Sequence, residues 1–412
     1  MTGEHGTQAE DTVEAICYRL FGRNFVLRSP VLLEVSGPKE LTDILVLVDD
    51  TAIIIQSKSL EIEASELDDM KFGRIRNRQS RAKRQLNTAL NAQTRNAHVR
   101  AVSSTGISFN IDWSRIRHRI GVITLNVPDS AYEDPEFRFQ YPYPVESYKG
   151  IEVHTFMLND LHLMALELTT PADVILYLRA RVQCLETQRF IIGNELDFLA
   201  FYKTQYPEIQ KALTDPAYLI WITPGYWEDY QKAHAEKLAD RNERFKNSAL
   251  IDRLIEDQST SVGYSAEEQG ISEQEAAINY MGVIGKLGKL TRMERAKIGD
   301  KMVEKFNKTE TNKWGYFIYV SKLMDIGYLF LFLNEDDRDR RRNFLQFLCE
   351  QACHVAPCRE LVGVGTDGAQ QEGYSFDVMV LDVETTKSET EPDPDFKLFR
   401  QLDVGSINEW DT

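Results

Sequence analysis

The stretch "TDILVLVDDTAIIIQSK" (residues 42–58) sets two apolar runs back to back, yet it carries Asp43 near its start and Gln56 and Lys58 at its end. The Asp49-Asp50 pair between the runs is a turn signal, so the segment reads as two strands of one hairpin. A carboxylate, an amide and an ammonium in strands bound for a sheet interior cost several kcal/mol each unless they are paired or bind something. They either sit at a solvated rim or hold a ligand.

Geometry links the three. If Asp49-Asp50 is a two-residue turn, Val48 pairs with Thr51 and Asp43 falls opposite Gln56; a four-residue loop keeps that pairing and a three-residue loop shifts it. Side chains alternate along a strand, so Gln56 and Lys58 share a face and Ser57 points away. Upstream, "EDTVEAICYRLF" (10–21) reads as a helix with Val13, Ile16, Cys17, Leu20 and Phe21 on one stripe. Glu14 lies at the edge of that stripe, where it can lean over the same patch.

Strands are expected at "NFVLRSPVLLEVS", "LTDILVLV", "TAIIIQSK" and, after a long basic helix over about 66–97 and an irregular insert, at "RIGVITLNV" (119–127). The order is α-β-β-β-α-β, an α/β unit with a mixed central sheet. A Pro- and Tyr-rich connection follows. The boundaries expected are an N-terminal domain over 1–150, a mainly helical middle over 151–310, a small α+β domain over 311–383 and an acidic tail over 384–412.

The net charge of −16 over 412 residues argues against general nucleic-acid affinity, but the charge is unevenly spread. Between 71 and 119 stand twelve basic residues, Lys71, Arg74, Arg76, Arg78, Arg81, Lys83, Arg84, Arg95, Arg100, Arg115, Arg117 and Arg119, against Asp112 alone. That leaves +11 in this stretch and −27 elsewhere. Phosphate is the natural partner of such a block. An apolar content of 42 % and 17 tyrosines describe a folded chain. No run is long enough for a membrane span, and five cysteines form no disulfide framework, so a cytoplasmic protein without membrane contact is expected.

Asp43 and Glu14 offer hard oxygen ligands to Mg²⁺ or Mn²⁺, and Gln56 can add its carbonyl oxygen. Such an ion polarises a phosphodiester and acidifies bound water. Lys58 can orient that water or offset charge in the transition state.

Helix Glu14, strand Asp43 and the Gln56-Ser57-Lys58 triplet, in this order of elements, resemble the PD-(D/E)XK (restriction-endonuclease-like) nuclease superfamily. The variant is the one of methylation-dependent restriction endonucleases. The likeness covers roughly residues 10–127, and Thr42 before Asp43 departs from the Pro-Asp of the family's name. It implies a Mg²⁺-dependent DNA endonuclease with Glu14, Asp43, Gln56 and Lys58 catalytic and the first three holding the metal. It also points to a glutamine on the following helix, Gln85 in "AKRQLNTAL". Lys71, Arg74, Arg76, Arg78, Arg81, Lys83, Arg84 and Gln85 would lie along the nucleic acid. The role implied is a bacterial anti-phage or restriction component that acts as a homo-oligomer or with a partner defence protein. RNA stays open as a substrate, and the alternative from another class is a catalytically inactive nuclease-fold subunit that binds nucleic acid or assembles a complex.

Other signals are weaker. "GVIGKLGKL" (282–290) lacks the spacing and hydroxyl of a phosphate loop, and Cys349, Cys353, His354 and Cys358 fit no common zinc spacing. His98, His118 and His154 read as structural or surface residues, and "DRDRRRNF" (337–344) as a solvated helix start.

Overall fold

The computed structural model describes residues 2–34, 37–59, 70–94, 98–104, 106–127, 145–260, 262, 266–267, 270–309, 314–333, 338–367, 376–393 and 403–405. They form two compact units, the first reaching Leu238 and the second starting at Ala239.

The first unit is built on a mixed nine-stranded sheet. Helix α1 (Thr2–Phe21) precedes β1 (Val26–Glu34), β2 (Gly37–Glu40), β3 (Ile44–Val48) and β4 (Thr51–Ser59). Helix α2 (Met70–Thr94) then leads to β5 (His98–Ser103), β6 (Ser108–Asp112), β7 (His118–Asn126), β8 (Val145–Tyr148) and β9 (Ile151–Met157). The strand order is β6-β5-β1-β3-β4-β7-β9-β8, with β2 on β1. β4, β7 and β9 run parallel, and the other neighbours pair antiparallel.

Every residue of β3 and the first seven of β4 are buried, as expected for central strands covered on both faces. β5 instead alternates between exposed and buried, the signature of a half-solvated strand. The β5–β6 hairpin fills the place where an irregular insert was expected. β8 and β9 carry the sheet to Met157, past residue 150.

α2 lies on one face. Its Ile75, Gln79, Ala82, Leu86 and Ala89 are buried at helical spacing, and a Cβ on Gly121 of β7 would meet the Leu86 side chain at 3.1 Å. On the other face pack α1 and two helices after β9, α3 (Leu158–Glu167) and α4 (Pro171–Glu186), with α5 (Glu195–Thr204) packed on α3 and α6 (Tyr206–Thr214) on α4 and α5. Thr170 caps α4 at Asp173 N, with Pro171 in the first turn. β10 (Phe190–Ile192) and β11 (Ile220–Ile222) make a small parallel pair, and α7 (Tyr226–Phe245) follows.

The second unit contains α8 (Ala249–Thr260), α9 (Glu273–Gly288), α10 (Arg292–Thr309), β12 (Trp314–Ser321), β13 (Ile326–Leu333), α11 (Arg338–Cys353), β14 (Glu360–Thr366), β15 (Phe376–Asp382), α12 (Val383–Glu389) and β16 (Asp403–Gly405). Its sheet runs β15-β14-β13-β12-β16. One face buries Ile318, Val320, Leu329 and Leu331 against Leu345, Leu348 and Cys349 of α11. The stretch expected as an acidic tail contributes most of α12 and all of β16. Thus the chain has an N-terminal mixed α/β sheet, a helical middle and a small C-terminal sheet with its helix. No described helix is long and apolar enough to cross a membrane.

Strand β9 is fastened on both faces. On the α2 side, Gln79 Nε2 donates to Thr155 Oγ1 at 3.0 Å. On the other side, buried Arg181 of α4 donates from Nε to both Glu195 oxygens (3.0 and 2.9 Å) and lies 3.2 Å from His154 Nδ1. Tyr177 donates to the same Glu195 at 2.5 Å. Burial and the neighbouring guanidinium push the His154 pKa well down, so the ring is neutral and accepts at Nδ1. Glu195→Gln removes the charge that compensates a buried guanidinium. It should lower unfolding free energy by roughly 3–5 kcal/mol in urea titration.

Candidate active site at the β3–β4 hairpin

The hairpin register is the one the two-residue turn dictates. Val48 pairs with Thr51 and Ile44 with Ile55, so the next position sets Asp43 beside Gln56. Asp49 takes a φ of +54°, a turn conformation that aspartate tolerates. The β3 ladder ends at Ile44, and Asp43 Oδ2 accepts the Ser57 N–H at 2.7 Å. Thr42 Oγ1 donates to Ile55 O (2.7 Å) and accepts from Gln56 Nε2 (3.1 Å), which orients the amide. Gln56 Oε1 therefore faces Lys58 Nζ at 3.4 Å. The same ammonium donates to Ser57 O at 2.7 Å and stands 3.8 Å from Asp43 Oδ2.

Asp43, Gln56 and Lys58 thus converge. Gln56 is buried, and the Asp43 and Lys58 side chains are only 12 % and 18 % exposed. Burial raises the Asp43 pKa above the usual 3.8, against the lowering by Lys58 and the Ser57 N–H. Gln56 and Lys58 point to the α2 side, since β4 pairs Ile54 with Gly121 and Gln56 with Ile123, and β7 in turn pairs Ile123 with Thr155.

Glu14 is engaged elsewhere. Its Oε1 accepts from Tyr18 (2.5 Å) and its Oε2 from Arg28 (2.9 Å), a guanidinium also paired to Asp11 at 2.7 Å. The α1 carboxyl that senses the hairpin is Glu10, one turn earlier. Burial raises its pKa, Asp43 and Glu40 add to the rise, and Arg28 and Lys58 oppose it. Gln85 is exposed on α2, whereas Gln79 is buried on Thr155 in the row Gln56–Ile123–Thr155. Glu10 and Gln79 are the polar residues that sequence reasoning missed. Gln79 had a signal, because it interrupts the apolar stripe of α2.

Along α2, Arg74, Arg76, Arg78, Arg81 and Arg84 are exposed, Lys83 pairs with Glu146, and the side chain of Lys71 lies outside the described residues. The other sequence signals are structural. Lys286, within the glycine-bearing stretch that ends α9, binds Glu360 at 2.7 Å. Cys349 and Cys353 are buried free thiols. Arg341, expected in a solvated helix start, is buried and binds Asp377 at 2.7 Å.

The donors at the hairpin are oxygens, the set that suits a hard divalent cation. Lys58 Nζ already draws Gln56 Oε1, Ser57 O and Asp43 Oδ2 toward one positive charge. Among the described residues no group of three or more His, Cys, Asp or Glu is placed to hold a metal. An ion here needs the Gln56 amide, water and substrate oxygens besides Asp43. No protein-family profile, curated protein or solved structure gives a match to the chain.

The balance at Asp43 can be measured without any metal. Its raised pKa means the folded state holds the proton more firmly than the unfolded chain. Stability from this group is therefore full below about 3.8 and lost as pH rises through the higher folded value. Asp43→Asn keeps an acceptor for Ser57 N–H and removes the desolvated charge. In divalent-free buffer at neutral pH its melting temperature should equal or exceed that of the parent. Lys58→Ala strips the cation from Asp43 and should lose about 1–2 kcal/mol by calorimetry.

Proposed function

We propose that the N-terminal unit is a Mg²⁺- or Mn²⁺-dependent endonuclease acting on DNA phosphodiesters. The observation that carries this reading is the convergence of the Asp43 carboxylate, the Gln56 amide oxygen and the Lys58 ammonium at the end of one buried hairpin. Asp43 and Gln56 would hold the ion, with a carboxyl of α1 as a further ligand, either Glu14, which already binds Tyr18 and Arg28, or Glu10, on which the charge of Asp43 bears. When bound, the ion supplies Lewis acidity at a phosphoryl oxygen and lowers the pKa of water. Lys58 offsets negative charge as the phosphorus centre gains its fifth oxygen. Exposed basic side chains of α2 hold the phosphate backbone, which positions the substrate and carries little sequence information. The second unit, with its own sheet and core, would supply recognition or assembly.

A second reading has its own support. Asp43 already has a structural duty on Ser57 N–H and a cation in Lys58, which an inactive nucleic-acid-binding subunit would keep. Incubation of plasmid DNA with Mg²⁺ or Mn²⁺ separates the two. Asp43→Ala and Lys58→Ala should each lower cleavage roughly 10²–10³-fold while affinity for DNA persists. Parent protein that binds DNA and cleaves nothing under either ion would establish the second reading. Proton competition at Asp43 gives a further sign. Mn²⁺ affinity should fall with decreasing pH, starting above the usual aspartate value of 3.8.

A further inference from the structure

The basic residues of α2 do not surround the helix equally with respect to the hairpin. Two contacts orient it. Lys83 pairs with Glu146 of β8, and Lys149, in the β8–β9 turn, donates to Asn87 Oδ1 at 2.5 Å. The flank bearing Lys83 and Asn87 therefore looks toward the β9–β8 edge, and the bond from Gln79 to Thr155 of β9 agrees. In the strand order β3 and β4 lie on the other side of β7. At 100° per residue the opposite flank carries Arg74, Arg78 and Arg81, all exposed. Arg76 belongs to the Lys83 flank, and Arg84 points directly away from the buried stripe.

Gln56 and Lys58 rise from the sheet on the α2 side. The level of α2 follows from Gln79, which sits over Thr155 in the same row as Gln56. Arg74, Arg78 and Arg81 bracket that level. They stand on the flank of α2 that is turned toward the open end of the hairpin at Lys58.

We infer that a furrow between this flank and Lys58 takes one strand of a DNA duplex, its phosphates held by Arg74, Arg78 and Arg81 and not by Arg76, Lys83 or Arg84. The inference rests on the nucleic-acid part of the reading above and not on catalysis. Dimensions fit. From Arg74 to Arg81 the helix rises about 10.5 Å, and one DNA strand presents a phosphate about every 3.4 Å of axis, so about four phosphates pass the three arginines and each arginine has one within reach. The run ends at Lys58, where a scissile phosphate would sit.

The test compares two sets of substitutions in the Asp43→Asn background, in divalent-free buffer, by fluorescence anisotropy with a 30-base-pair DNA duplex over a salt series. Arg74→Ala/Arg78→Ala/Arg81→Ala should weaken binding roughly 30–100-fold and reduce the log–log salt slope by about 2.7, the value for three phosphates. Arg76→Ala/Arg84→Ala should weaken it only a few-fold. All five side chains are exposed, and the melting temperature of each variant makes a folding defect visible. Equal losses in both sets, a larger loss in the second, or no loss in either overturns the furrow. If the parent never cleaves DNA but the asymmetry appears, the furrow stands and the hydrolase reading falls. If the parent cleaves and the asymmetry is absent, the furrow alone falls.

Discussion

Burial of the β3–β4 hairpin on both faces is the constraint that places everything else. Ile44 through Val48 and Thr51 through Ile55 lie in the sheet interior, so a slip of one residue would turn every side chain to the wrong face. The cost of unpairing central strands holds the register firmly. That register stops the ladder one position short of Asp43, leaves the Ser57 N–H facing it, and brings Gln56 and Lys58 to the same side. Polar groups that look misplaced in an apolar run are therefore the ones standing where the run ends.

Electrostatics then sorts the carboxyls. Asp43 is largely shielded from solvent, and its neighbours lower its pKa less than burial raises it. Glu14 accepts from Tyr18 on one oxygen and from Arg28 on the other, so a further cation there would share the carboxylate with a guanidinium. Glu10 shares the same helix flank but carries a raised pKa from burial and from Asp43, so it gains from any added positive charge at the hairpin. A cation arriving there relieves Asp43 and Glu10 together. The exposed arginines of α2, Arg74, Arg76, Arg78, Arg81 and Arg84, add positive charge on this side of an acidic chain.

Much of this was legible in the residues, and the limits have physical causes. The hairpin register followed from the Asp49-Asp50 turn and the period of two, both local properties. The buried stripe of α2 recurs at the period of 3.6, but the arginines between its members drew the reading to the basic face alone. The β5–β6 hairpin escaped notice because "HVRAVS" alternates with arginine and histidine on its wet face, which resembles a polar insert. The choice between Glu10 and Glu14 could not be made from spacing, since both lie on one flank. What sets the two apart in the fold is Arg28, a strand residue brought to α1 by tertiary packing, which pairs with Glu14. The orientation of α2 likewise depends on Glu146 and Lys149, more than sixty residues from their partners.

Asp43 raises a last question, of why a charge stands where an acceptor alone is needed. The Ser57 N–H requires one lone pair, and a neutral amide oxygen supplies that without the desolvation cost of a carboxylate. Lys58 does not need Asp43 either, since Ser57 O at 2.7 Å and Gln56 Oε1 at 3.4 Å already receive its protons. Folding thus accounts for the oxygen but not for the negative charge. A group that costs stability in the empty protein and is relieved by a cation has the energetic profile of a binding residue. The same reasoning gives Lys58 a second meaning. At 3.8 Å from Asp43 it is near enough to stabilise the carboxylate, yet too far to form a close ion pair that would exclude an added charge.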